Sequence, residues 1–199
     1  MPTVTVGQDD CKPAKYGERL ETRGLDTCIG IVAYGLPYKK GGVNKVMAHC
    51  SPGNEDAIIG NLFVTAVRNS GMTLYGICMS CPKPDRNNSG PRKITDKQIR
   101  DALAESRGIR KSDVTQAMID EQRQALAQRL TEAQDRAEGH CIEAFGMGIM
   151  SHPRSTSRAN QPYPYGSLVA TASPGGEVEA DGHKMADIPD WTEPVAAPA

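Results

Sequence analysis

The sequence predicts a mixed α/β fold, a layered sandwich of β-sheet flanked by helices, and three observations carry that prediction. Short β-like apolar runs and longer helical stripes alternate along the chain, in the order strand, strand, helix, strand over its first half. Twenty Gly and 14 Pro punctuate 199 residues, so the elements are short and the turns many. Hydrophobic residues make up 38% and aromatics only 5%, which implies a core of small aliphatic side chains.

Lys plus Arg number 23 and Asp plus Glu 24, a net charge of −1. That balance argues against a dedicated nucleic-acid or anionic-membrane binder, which needs an excess of cations. No stretch of eighteen apolar residues occurs, so membrane insertion is not expected. The N-terminal MPTVTVGQDDCKPAKYGE lacks an apolar leader core, which points to a cytoplasmic protein. Six cysteines permit three disulfides, but without an export signal reduced thiols are the expectation.

Residues 1–14 read as a flexible lead-in, and 15–183 as one catalytic-sized domain. Cys28-Ile29-Gly30-Ile31-Val32-Ala33-Tyr34 is continuously apolar and suits a strand buried on both faces. After a Gly- and Pro-rich turn at 35–44, Lys45-Val46-Met47-Ala48-His49-Cys50 predicts a neighbouring strand, stopped by Ser51-Pro52-Gly53. Asn54 is a suitable N-cap for a helix to about Arg68, striped by Ile58, Ile59, Leu62, Phe63, Ala66 and Val67 and ended by Gly71. A strand follows over 72–78. Residues 82–93 are polar loop, and Thr95-Asp96-Lys97-Gln98 has the form of a capping box before a helix that Gly108 ends. A longer helix is predicted from Ser112 or Asp113 to Glu138, then a strand over 141–150 and a loop over 151–166. Residues 167–172 and 177–180, joined by Ser173-Pro174-Gly175-Gly176, predict a β-hairpin. The Pro-bearing stretch 184–199 reads as a tail.

Two residue sets have the chemistry of a site. Cys28 opens one strand and His49 closes the next, so neighbouring strands would bring thiol and imidazole to one rim of a sheet. An imidazole that removes the thiol proton produces a nucleophile, and backbone N–H groups of the turn before Cys28 are candidates to bind an oxyanion. Taken alone, a buried cysteine and a hydrogen-bonded histidine are the commoner meaning of such a pair. The second set is Cys78-x-x-Cys81, half of a zinc site or a redox couple; neither a second CxxC nor an HxxxH accompanies it.

Thr22-Arg23-Gly24-Leu25-Asp26-Thr27-Cys28 resembles the T-x-G-L-G-S-C segment of the CheD family, the bacterial chemoreceptor glutamine deamidases. Val46-Met47-Ala48-His49 resembles that family's M-A-H motif, and the helix, the Asn69-Ser70-Gly71 stop, the following strand and the hairpin from Tyr165-Gly166-Ser167 to Val178 keep its order. The similarity touches most of 15–182 and is interrupted by an insertion over about 83–125. It implies the sandwich fold shared with the catalytic domain of the cytotoxic necrotizing factors, and a Cys-His-Thr site that hydrolyses a protein glutamine to glutamate without a cofactor. Carried over, Cys28 is the nucleophile, His49 the base and Thr22 the residue that orients the imidazole, with Asp26 and Thr27 in the supporting turn. The implied partners are a protein substrate presenting an exposed glutamine and a regulatory protein. Asp26-Thr27 stands where the family has Gly-Ser, and a carboxylate there raises the thiol pKa unless it points to solvent. Against this hydrolase stand two other expectations: a non-catalytic interaction module using the insertion, and a Cys78/Cys81 metal or redox site.

Overall fold

A computed structural model describes residues 1–25, 27–81, 95–150 and 166–191. Two sheets face each other. One has five strands in the order β1-β3-β7-β8-β9, the other four in the order β2-β5-β4-β6. The first comprises β1 (Thr3–Thr5), β3 (Arg19–Arg23), β7 (Ser167–Ala170), β8 (Glu177–Ala180) and β9 (His183–Asp187). The second comprises β2 (Asp10–Lys15), β4 (Ile29–Leu36), β5 (Val43–Cys50) and β6 (Thr73–Ser80). The β1–β3 pair is parallel and the other pairs are antiparallel.

Side-chain alternation sorts the core into layers. Leu20, Cys28, Val32, Tyr34, Met47, Cys78, Leu168, Ala170 and Val178 pack between the sheets. Ile29, Ile31, Ala33, Val46, Ala48, Cys50, Ile77, Met79 and Cys81 face the other way, onto the helices. Strand β4 is therefore buried on both sides, as its unbroken apolar sequence predicts. The five-stranded sheet turns charged residues outward, with ion pairs such as Arg19–Glu21 at 3.0 Å and Lys184–Glu177 at 3.3 Å.

The helical layer holds a π-helical stretch, Asp56–Phe63, that runs into α1 (Val64–Ser70), together with the long α3 (Gln116–Phe145). The N-cap of the π-helical stretch is Glu55, one residue beyond the expected Asn54, whose carbonyl still accepts from Ile58 N at 2.9 Å. Gly71 ends α1 in the left-handed conformation, φ 67°. Helix α2 (Asp96–Arg107) begins in the capping box expected of Thr95 and Gln98, with both reciprocal bonds made, and ends at Gly108. It packs with the first turns of α3 around a small separate core of Ile99, Leu103, Ala104, Val114 and Ile119.

Three expectations are corrected. The lead-in carries β1 and β2; Pro13 is tolerated because β2 lies at the edge of its sheet. The strand expected over 141–150 is the end of α3 and a 3-10 turn, Met147–Ile149. Ala133, Ala137 and Cys141 recur every fourth residue on its buried side, so helical spacing continues through that apolar run. The tail begins later than 184, because β9 pairs with β8 across a tight turn. Asp181 and Gly182 both have positive φ, 53° and 77°, the geometry an Asp-Gly hairpin turn favours. The polar loop at 82–93 and the loop over 151–165 lie outside the described residues.

Candidate active site

The register of β4 and β5 fixes the geometry of the candidate site. Gly30 is paired directly with His49 in that antiparallel ladder. Cys28 lies two residues ahead of Gly30, and alternate residues share a face, so Cys28 and His49 stand on the same side of the four-stranded sheet. Such diagonal neighbours are typically about 7–8 Å apart between Cα atoms, within the span of an imidazole. Both belong to the layer between the sheets. Thr22 comes from the opposite sheet, on β3, and reaches across that layer: its Oγ1 lies 2.8 Å from His49 Nδ1. Closing the sandwich is therefore what assembles the three residues.

Hydrogen-bond bookkeeping at Thr22 sets the state of the imidazole. The Thr22 hydroxyl donates to the Val6 carbonyl at 2.9 Å. A hydroxyl has one proton, so toward His49 Oγ1 is an acceptor and Nδ1 carries the hydrogen. In the neutral ring this leaves Nε2 as the basic nitrogen. The Val6 carbonyl thus selects the tautomer that a general base requires. Thr22 is fully buried, His49 is 4% exposed and Cys28 7% exposed, so all three are buried and Cys28 is the least so.

The turn before Cys28 is held from below. Leu25 is fully buried, and a Cβ on Gly30 would lie 2.6 Å from Leu25 Cδ1 and 3.3 Å from Leu168 Cδ2. Gly30 is therefore small because the Leu25 side chain tucks over it. The Leu25 N–H donates to the Gly166 carbonyl at 3.2 Å and is thereby occupied. Thr27 is exposed, and Asp26 lies outside the described residues.

All six cysteines are free thiols. Burial pushes Cys11, Cys50, Cys78 and Cys141 up to about 12; nearby carboxylates add to this at Cys11, Cys50 and Cys141, and Cys28 adds to it at Cys50. These four are protonated packing residues at neutral pH. Cys78 and Cys81 belong to opposite layers, Cys78 between the sheets and Cys81 against the helices, so β6 does not bring them to one site. Among the described residues no three of His, Cys, Asp and Glu converge as metal ligands.

Residues outside the sequence motifs complete the surroundings. Asp9 Oδ1 accepts from Ser51 N at 2.8 Å, and Asp9 Oδ2 accepts from the Ser51 hydroxyl. Further along the His49 face of β5, Lys45 is fully buried and donates to Asn44 Oδ1 at 3.0 Å and to the Lys15 carbonyl at 3.3 Å. Burial brings its ammonium down from 10.5 to about 8, against an opposing field from Glu18. Asn44 Nδ2 in turn donates to Ser173 Oγ at 3.2 Å, a second polar tie between the two sheets. Asp9 and Ser51 are ordinary turn residues in sequence, and the Val6 contribution is a backbone carbonyl, which no side-chain pattern encodes.

Comparisons with protein-family models, with curated proteins and with solved structures found no match.

Proposed function

We propose that this protein is a cysteine-dependent hydrolase of the protein-glutamine deamidase type. The observation that carries the reading is the Val6–Thr22–His49 chain, which protonates Nδ1 and leaves Nε2 basic on the Cys28 side of the sheet. His49 Nε2 takes the Sγ proton, and the thiolate attacks the carbon of a side-chain carboxamide. The C–N bond then breaks, the imidazolium returns its proton to the leaving nitrogen, and ammonia departs. Water, deprotonated by the same ring, cleaves the thioester to give glutamate and the free thiol. Thr22 keeps the ring oriented throughout. No metal or organic cofactor takes part in this sequence.

The substrate is a protein with an accessible glutamine, and the reading places the reaction in the cytoplasm, with a regulatory protein as a further partner. No helix among the described residues is long and apolar enough to cross a membrane. The resemblance of Thr22–Cys28 and Met47-Ala48-His49 to the CheD motifs supports the same reaction.

The test is incubation of the full chain with whole-cell protein, followed by ammonia release and glutamine-to-glutamate conversion in peptide masses. Wild type is expected to convert specific glutamines, and Cys28→Ala and His49→Ala none. Equal conversion by those folded variants would refute the mechanism. Absence of conversion by the wild type would favour the interaction module instead, presented by the α2–α3 pair with its own small core.

A further inference from the structure

Asp9 has no part in the reaction just described, yet its geometry is specific. Its backbone is left-handed, φ 53°, a conformation that costs most L-residues and that Asp and Asn tolerate best. That kink turns its carboxylate across the end of β5, where Ser51 N and Oγ both donate to it and the Asn54 side chain adds another bond. Ser51 is two residues past His49, and Asp10, the next residue along from Asp9, is the ladder partner of His49. Burial opposes the Asp9 charge, but the Ser51 and Asn54 bonds and the field of His49 hold its carboxyl below the usual carboxylate value.

We infer that Asp9 is a positioning residue that grips the end of β5 through Ser51 and favours the protonated form of His49, setting the pH at which that ring changes from acid to base. The catalytic consequence rests on the hydrolase reading; the ring titration does not. Other groups surround the ring. From β2 comes Asp10, whose Oδ2 pairs with Lys12 Nζ at 3.2 Å. Ahead of β4 stands Cys28, β4 itself carries Tyr34 and β6 Cys78 in the same layer, β3 supplies the neutral Thr22, and β5 carries Lys45 four residues away on the same face and Cys50 on the other. Among these, Asp9 is the carboxylate held by donors of Ser51, two residues past His49.

The experiment follows the His49 ring by NMR through a pH titration of the full chain, without substrate. Asp9→Asn keeps the shape, an acceptor oxygen and tolerance of positive φ while removing the charge. It is expected to lower the His49 midpoint by about half a pH unit or more. Ser51→Ala, which loosens the grip and leaves the charge, is expected to lower it by less. An unchanged midpoint in folded Asp9→Asn overturns the inference. So does an equal or larger fall in Asp10→Asn, which would assign the field to the ladder partner. Should Asp9→Asn fail to fold, an unchanged midpoint in Ser51→Ala overturns it instead. A chain without hydrolytic activity still reports this titration, so the two readings fail separately.

Discussion

Replacing Lys45 with Met tests how the space between the sheets treats charge. The lysine is fully buried, and its ammonium is brought from 10.5 to about 8. That difference of about 2.5 units corresponds to roughly 3 kcal/mol against the charged form in the folded state. The sign follows from proton counting. Between about pH 8 and 10.5 the unfolded chain holds the Lys45 proton and the folded chain has released it, so this group makes stability rise with pH in that window. Below about pH 8 the full cost is present. Met removes that cost but leaves Asn44 Oδ1 and the Lys15 carbonyl without their donor, at about 1 kcal/mol each. The net expectation at pH 7 is a variant more stable than wild type by about 1 kcal/mol. The four raised thiols act oppositely, because above about pH 9 the unfolded chain loses their protons first. Total stability therefore mixes the two effects, and the assay is the difference between wild type and Lys45→Met in denaturant unfolding from pH 7 to 10.5. The advantage of Met should shrink steadily across pH 8–10.5 and reverse as the cost vanishes. A difference independent of pH would refute the reasoning.

Other perturbations address the site directly. Thr22→Val leaves the Val6 carbonyl and His49 Nδ1–H buried without their hydroxyl, and is expected to cost about 2–4 kcal/mol in denaturant unfolding. Thr22→Ser keeps both bonds and should cost less than half of that; equal losses in the two variants would show that the hydroxyl is unimportant. Alkylation of the folded chain at pH 8 should label one thiol, Cys28, in mass spectra, while the unfolded chain takes six labels. Retention of that single label in Cys28→Ala would place it elsewhere. Gly30→Ala should displace Leu25 and the turn before Cys28, destabilising by about 1–3 kcal/mol and slowing Cys28 alkylation. A variant with native stability and native labelling would contradict that packing.

The central elements were legible because each carries its own periodicity or punctuation. The unbroken apolar β4, the stripe from Ile58 to Val67, the Thr95–Gln98 box and the Ser173–Gly176 turn are local patterns, and local sterics and hydrogen bonding decide them. Strands β1, β2 and β9 were illegible because short edge strands need little hydrophobicity: a neighbour supplies their hydrogen bonds, and one face remains wet. The close of α3 misled for the opposite reason, since a run such as Cys141–Met150 is apolar enough for either element until its inward spacing is known.

The sequence by itself determined that a thiol, Cys28, and an imidazole, His49, each fall at the end of an apolar run. Only the tertiary structure decided that β4 and β5 set them on one face, that Thr22 meets His49 from the other sheet, and that the Val6 carbonyl accepts from the same Thr22 hydroxyl. The reason is physical. Covalent order dictates local conformation and the pattern of apolar faces, whereas the tautomer of the His49 imidazole depends on Thr22 and Val6, 27 and 43 residues distant, which meet it when two sheets close over a shared core.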